Sequence, residues 1–341
     1  MTAPKLADIA KRAEVSIAAV SIALNNRDTK RVSEAKRNEI RKIAEELNYV
    51  PNEVAKALSQ RRTRLLGLVV PFRDPILNHF IAQVLSGIQA TLMRRGYSLL
   101  LYSPTDKPGG ATRDQVLERR FTDGLIFVDT GSCSTRDLAE RIQQLEAAKI
   151  KFVMINTCSH RASVNYVGVD DSAMGEAAAH YLVQRKHRRI AFLSSSGMLP
   201  THLHLLQGLR RGVIAHGLDL PAEHIGCSEN NEERTFRILD RWFATKGTAP
   251  TAIFCADDQL LMHLYGYVEA RGMRLPEDVA VIGRGDASFN SLLRPRPTAF
   301  YLPTFEMGEL GAGMLIDLIE KPQQQPQRVM LPFKLHAGDT A

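Results

Sequence analysis

Apolar residues Leu6, Ile9, Ala10 and Ala13 share one face of a 3.6-residue period, which predicts a short amphipathic helix at the start of the chain. Ser16 is placed to cap a second helix over Ile17–Leu24, with Val20 and Leu24 turned inward and Asn25-Asn26 as the stop. A third helix opens at Ser33-Glu34 and buries Ile40, Ile43, Ala44 and Leu47. The stretch Asn52 to Ser59 is helix-compatible, yet too short to hold a helix alone in water. A charged linker follows at 60–64, and then the period changes. Leu65 to Val70 is a continuous apolar run, as expected of a strand covered on both faces.

From there strand-like runs alternate with amphipathic ones. Ser98–Tyr102, Gly124–Val128, Phe152–Ile155, Ile190–Leu193, Ala252–Cys255 and Val279–Ile282 read as strands. Phe80–Arg95, Thr135–Lys149, Ala173–Arg185 and Gln259–Arg271 read as helices. The alternation predicts a doubly wound α/β body. Residues 65–341 exceed one typical sheet, so two α/β lobes with a ligand cleft between them are expected.

Charge is distributed unevenly. The first 64 residues hold 14 Lys or Arg against 8 Asp or Glu, giving +6 of the total +7. A short basic segment on a nearly neutral body suits docking on a polyphosphate, although a solvated charged face has the same composition. No run is long and apolar enough for a membrane span, and the charged start does not suit a secretory signal. A cytoplasmic location and no membrane partner are expected. Cys133, Cys158, Cys227 and Cys255 are widely spaced, so reduced and mostly buried thiols are expected.

Several chemical constellations read poorly as catalysis. His202 and His204 have strand rather than helix-turn spacing for metal ligands, and no nearby set completes a tetrahedron. Ser194-Ser-Ser-Gly197 is not a nucleophile elbow, and Gly308, Gly311 and Gly313 lack dinucleotide-loop spacing. Asp170-Asp171 and Asp257-Asp258 are better explained as caps and cleft positions than as an acid/base pair. No enzyme activity, metal or cofactor is expected.

A helix-turn-helix needs a tight turn and small residues between its helices, which 6-LADIAKRAEVSIAAVS-21 provides, with Ala10 and Val15 inside and Ser16 and Ser21 outside. Here the chain resembles the lactose-repressor/galactose-repressor (LacI/GalR) family of bacterial transcription regulators. The resemblance runs through LADIAKRAEVSIAAVSIALNN, VSEAKRNEIRKIAEELNYVPNEVAKALSQRRTRLLGLVVP, VGVDDSAMGEAAAHYLVQRKHRRIAFLS, PTAIFCADDQLL and RLPEDVAVIG, in family order. It implies an all-α helix-turn-helix headpiece (1–50), a hinge helix and linker (51–64), and a two-lobed α/β effector domain (65–341) like periplasmic binding proteins. Its first lobe is expected at about 65–168 and 298–328, and its second at about 169–297 and 329–341.

Carried over by position, the resemblance makes Ile17, Ala18 and Ile22 the side chains aimed at bases of double-stranded DNA. It gives Ser16, Ser21, Asn25, Ser33, Tyr49 and Asn52 to the DNA backbone, and Ala55 and Leu58 to a minor-groove wedge. All three base-reading positions are apolar, which suits a thymine methyl and not a bidentate bond. The turn before Ser33 is longer than in many members of that family and carries Arg27, Lys30 and Arg31, of which Lys30 and Arg31 are expected backbone contacts.

The implied effector cleft holds Phe72, Asp74, Ile76, Leu77, His79, Asp129, Arg161, His204, Leu205, Asp257, Arg284 and Gly285. Leu205 stands where sugar-sensing members carry an arginine, and Gly285 where they carry an acid. Losing both charged forks argues against an ordinary monosaccharide. The expectation is therefore a homodimeric regulator, in the first place a repressor, on a pseudo-palindromic operator under an unidentified small-molecule effector. The subunit contact is expected on the faces carrying Val84 to Leu92 and Leu260 to Val268. The alternatives are a regulator with a degenerate cleft and a cytosolic small-molecule binding protein.

Overall fold

The computed structural model describes residues 4–24, 32–50, 62–70, 79–102, 121–128, 135–156, 163–197, 199–285, 290–321 and 323–341. The chain divides into two compact units, Met1–Thr63 and Arg64–Ala341.

The first unit contains α1 (Leu6–Arg12), α2 (Ile17–Leu24) and α3 (Glu34–Glu46). Helix α1 ends with Glu14 in the left-handed region (φ 53°), which lets the Val15 amide reach back to the Ala10 carbonyl at 3.0 Å. That one left-handed residue makes the turn tight. Ser16 then caps α2, its hydroxyl accepting from the Ala19 amide at 3.2 Å, and Ser33 caps α3 by accepting from Lys36 at 3.3 Å. Asn48 (φ 48°) closes α3 in the same way as Glu14, the Tyr49 amide donating to Ala44 at 2.8 Å. Ile9, Ala10, Ala13, Val20, Ala23, Val32, Ile40, Ile43 and Ala44 form the core, with Leu24, Leu47 and Tyr49 packed around it.

The second unit is built on two six-stranded sheets. In the first, all neighbours are parallel in the order β11-β5-β4-β3-β1-β2: Arg328–Met330, Asn165–Gly168, Phe152–Ile155, Gly124–Val128, Leu65–Val69 and Ser98–Tyr102. In the second, the order is β12-β10-β9-β8-β6-β7: Lys334–His336, Thr298–Tyr301, Ala280–Gly285, Ala252–Cys255, Ile190–Ser194 and Ile225–Cys227. Only the β12 edge is antiparallel there.

Helices α4 (His79–Arg95) and α10 (Thr304–Glu320) pack together beside the first sheet, and α5 (Thr135–Ala147) lies on its other face. The second sheet has α6 (Asp171–Gln184) and α7 (Pro200–Ala215) on one face, and α8 (Glu232–Phe243) and α9 (Asp258–Ala270) on the other. The α6–α7 contact is close because Gly175 and Gly208 present bare backbone to each other's helix; a Cβ at 208 would collide with the Ser172 carbonyl.

The chain's crossings differ from expectation. Strand β10, at 298–301, belongs to the second sheet, and only α10 returns to the first; β11, at 328–330, still belongs to the first. The reason is backbone pairing: Thr298–Tyr301 bonds to β9, and Arg328–Met330 to β5. The apolar residues of the expected subunit-contact helices also turn inward. Val84, Ile88 and Leu92 pack under α10, and Leu260, Leu261, Leu264 and Val268 pack on the second sheet, leaving Met93 and Met262 exposed on these helices. Cys255 is buried as expected, whereas Cys227 is exposed on an edge strand; Cys133 and Cys158 lie outside the described residues. Among the described residues, no helix is long and apolar enough to cross a membrane.

Candidate functional site

Two surfaces carry chemistry, one in each unit. On α2, the 100° step per residue sets Ile17, Ala18, Ser21 and Ile22 on the arc opposite Val20 and Ala23, which are fully buried. Ile17 is 52% exposed and Ala18 is exposed, whereas Ile22 and Ser21 are half-buried, Ile22 leaning on the small core. An isoleucine held half out of a minimal core is an unusual use of an apolar side chain in a segment rich in Lys and Arg. Ser16 and Ser33 each use a hydroxyl lone pair on the cap and keep the hydroxyl hydrogen to donate, and Tyr49 is half-buried against the core. Asn25, Arg27, Lys30, Arg31, Asn52, Ala55 and Leu58 lie outside the described residues.

In the second unit, polar groups gather at the carboxyl ends of the parallel strands, where open α/β sheets bind ligands. On the second sheet these are Ser194 at the end of β6, Asp257 just after β8, and Arg284 and Gly285 closing β9. Facing them are the first turns of α6 and α7, with Asp171 and His202.

Arg284 and Asp171 form a buried ion pair at 2.9 Å, each side chain no more than 5% exposed. Arg284 also reaches the Ala256 carbonyl at 3.5 Å. Burial raises the Asp171 carboxyl to about 6 despite the attraction of Arg284, because desolvation outweighs the ion pair. His202 is packed between Ser194, whose Oγ lies 2.9 Å from Nδ1, and Asp257, whose Oδ2 lies 3.8 Å from Nε2. Burial lowers the imidazole to about 4, with Asp257 opposing and Arg284 reinforcing the shift. At neutral pH the ring is uncharged. Asp257 does double duty, its Oδ1 capping α9 by accepting from Leu260 at 2.9 Å.

The structure rearranges several expected cleft positions. Leu205 is not on a wall; it is fully buried in the core beside Leu209 and Val213, one turn apart along the inward stripe of α7. His204 is half-buried, and His202, set aside in the sequence as half of a metal pair, is the histidine that meets Ser194 in the polar cluster. At Gly285 the missing side chain's space is already filled: a Cβ there would fall inside the Asp258 carboxylate. The acid absent from the strand is thus supplied by the first turn of α9. His79 opens α4 and is exposed. Phe72, Asp74, Ile76, Leu77, Asp129 and Arg161 lie outside the described residues.

On the first sheet, sequence reasoning missed Asn156. It follows β4 in the left-handed region (φ 54°), is fully buried, and neither its amide nitrogen nor its oxygen has a protein partner. Such a group is costly unless something else bonds to it. An asparagine ending the apolar run Phe152–Ile155 was the available signal. Among the described residues, no group of three or more His, Cys, Asp or Glu is placed to hold a metal ion.

Residues 5–52 match the DNA-binding region described as "Bacterial regulatory proteins, lacI family", and residues 179–341 match the periplasmic binding protein-like domain. The ribose operon repressor of Escherichia coli strain K12 is 27% identical over 334 residues, covering 97% of this chain and 98% of its own. The chain carries a lacI-family DNA-binding domain followed by a periplasmic binding protein-like domain. A second relative, the probable repressor ExuR of Bacillus subtilis strain 168, is 26% identical over 95% of this chain and 94% of its own. Among solved structures, the Lac repressor dimer bound to operator and the anti-inducer ONPF superposes with a TM-score of 0.83, at 21% identity and 99% coverage of both chains; that likeness establishes the fold. The chain is a DNA-binding transcription regulator, and its relatives are repressors rather than enzymes.

Proposed function

We propose that this protein is an effector-controlled repressor of the lacI family that binds a pseudo-palindromic operator as a homodimer. The carrying observation is the α2 arc of Ile17, Ala18, Ser21 and Ile22 standing opposite a packed Val20–Ala23 side, within a segment of net charge +6. A helix exposing such a face beside a tight turn fits the major groove, with Ile17, Ala18 and Ile22 against thymine methyls. Ser16, Ser21, Asn25, Lys30, Arg31, Ser33, Tyr49 and Asn52 hold phosphates, and Ala55 and Leu58 wedge the minor groove. Two-fold protein symmetry imposes two-fold symmetry on the site. The subunit contact uses the outer faces of α4 and α9, where Met93 and Met262 are exposed. The protein works on the nucleoid, in the cytoplasm.

The effector binds at the carboxyl ends of the two sheets, between Asn156 on one and Asp257 with His202 on the other. It is not an ordinary monosaccharide, because Leu205 is core and leaves no charged side chain where sugar-sensing members carry an arginine.

Selection of bound duplexes from a random pool by the full-length protein, followed by footprinting, tests the reading. Recovery of an inverted repeat, with affinity falling steeply as salt rises, is expected. Binding with no sequence preference overturns it. Sedimentation of the protein as a monomer on that duplex overturns the dimer.

A further inference from the structure

The groups around His202 leave a hydrogen-bonding demand that the protein itself does not meet. The Ser194 hydroxyl has one hydrogen, which it donates to the Ser196 carbonyl at 2.7 Å. Its oxygen accepts from the Ser196 amide at 3.2 Å, and its remaining lone pair faces His202 Nδ1 at 2.9 Å. Nδ1 therefore carries the ring hydrogen. Because burial keeps the imidazole neutral, Nε2 is a bare acceptor. Opposite it, at 3.8 Å, stands Asp257 Oδ2, a second acceptor.

The separation is too long for a hydrogen bond and suits one donor group held at about 2.7–3.2 Å from each atom. Arg284 does not fill that role, since its guanidinium is turned to Asp171 and the Ala256 carbonyl. Asp257 retains 26% side-chain exposure, so the pair is approachable.

We propose that the gap between His202 Nε2 and Asp257 Oδ2 receives a protonated amino group, so that the effector is an amino-bearing small molecule. The proposal rests on the reading of this unit as effector-binding. An ammonium group offers three donors and no acceptor, and satisfies both atoms while placing a positive charge beside a carboxylate in a largely dry setting. A ligand hydroxyl donates only once and leaves one acceptor facing its oxygen. A carboxylate or phosphate adds further acceptors and a like charge.

The test follows the imidazole nitrogens of 15N-histidine-labelled, full-length protein by long-range 1H–15N spectroscopy. Titrations with methylammonium, ethanolamine and glucosamine are compared with glucose, glucuronate and glucose 6-phosphate at constant ionic strength. The free protein is expected to show the Nδ1–H tautomer at His202. Its Nε2 resonance is expected to move saturably with the amines alone, and the movement is expected to vanish in Asp257→Asn, whose folding is checked by its melting curve. An Nε2–H tautomer, a larger response to glucuronate or glucose 6-phosphate, or no response to any of the three amines up to about 100 mM overturns the proposal. Operator binding is measured on the same preparation. Specific DNA binding with an indifferent His202 defeats this proposal alone, whereas an amine-responsive His202 without specific DNA binding defeats only the repressor reading.

Discussion

Replacing Gly285 by alanine puts a methyl group where the Asp258 carboxylate lies. Gly285 ends a regular parallel strand and has no positive φ, so the new residue meets no backbone strain and the cost is purely one of space. Asp258 is short and sits in the first turn of α9, so relief requires rotating a carboxylate or moving the helix start. Overpacking of this kind costs about 1–3 kcal/mol. For residues 64–341, an unfolding entropy of about 2.1 cal/mol/K per residue amounts to about 0.6 kcal/mol per degree, so the melting temperature falls by about 2–5 °C. The decisive measurement is a double-mutant cycle by urea and thermal unfolding. Asp258→Ala removes the obstacle, and the double variant is expected to recover at least about 1 kcal/mol relative to the sum of the singles. Additive losses, or a Gly285→Ala protein as stable as wild type, refute the claim that α9 fills this space.

Gly208→Val drives its side chain into the Ser172 backbone, and is expected to cost more than about 4 kcal/mol, seen as loss of the cooperative melt of the second unit. Ser33→Ala deletes the α3 cap and is expected to cost the first unit about 1 kcal/mol in urea unfolding. Ile17→Ala leaves unfolding unchanged within about 0.5 kcal/mol, because the side chain is half exposed, while weakening operator binding in a gel-shift titration. His202 has a folded value near 4 against an ordinary 6.5, so stability present above pH 6.5 is lost as the pH falls toward 4. Asp171, raised to about 6, works in the opposite direction, so the difference from His202→Gln is the quantity to follow. Wild type is expected to lose up to about 3 kcal/mol relative to that variant between pH 7 and pH 4; a flat difference contradicts a buried neutral ring.

Much of the architecture is written locally. Strands Ser98–Tyr102, Gly124–Val128, Phe152–Ile155 and Ala252–Cys255 fall where continuous apolar runs put them, and the caps Ser16 and Ser33 form as their positions suggest. These features depend on period and on neighbours within one turn, which a sequence displays directly. The strands at 165–168, 225–227, 328–330 and 334–336 were not legible, because none of these short stretches is a continuous apolar run and each is held as a strand by backbone pairing to a neighbour in the sheet.

The same division runs through the candidate site. Asp257 could be placed by its position before a helix, yet its second oxygen facing His202 depends on how α7 docks beside β6 and β8. Arg284 could be noticed as an oddity, but only the approach of α6 to β9 makes it the partner of Asp171. Leu205 looked like a wall residue because a position in a pattern carries no direction; the inward stripe of α7 decides that it is core. Sequence alone determined the two-unit organisation, which follows from the change of period and charge along the chain. The outward place of Ile17, Ala18 and Ile22 was implied by the family resemblance and not by periodicity, which turned Leu24 inward where Ala23 is the buried residue. Tertiary structure decided which polar groups meet and which are already spent, because hydrogen bonds and desolvation act between side chains that only folding brings within 4 Å.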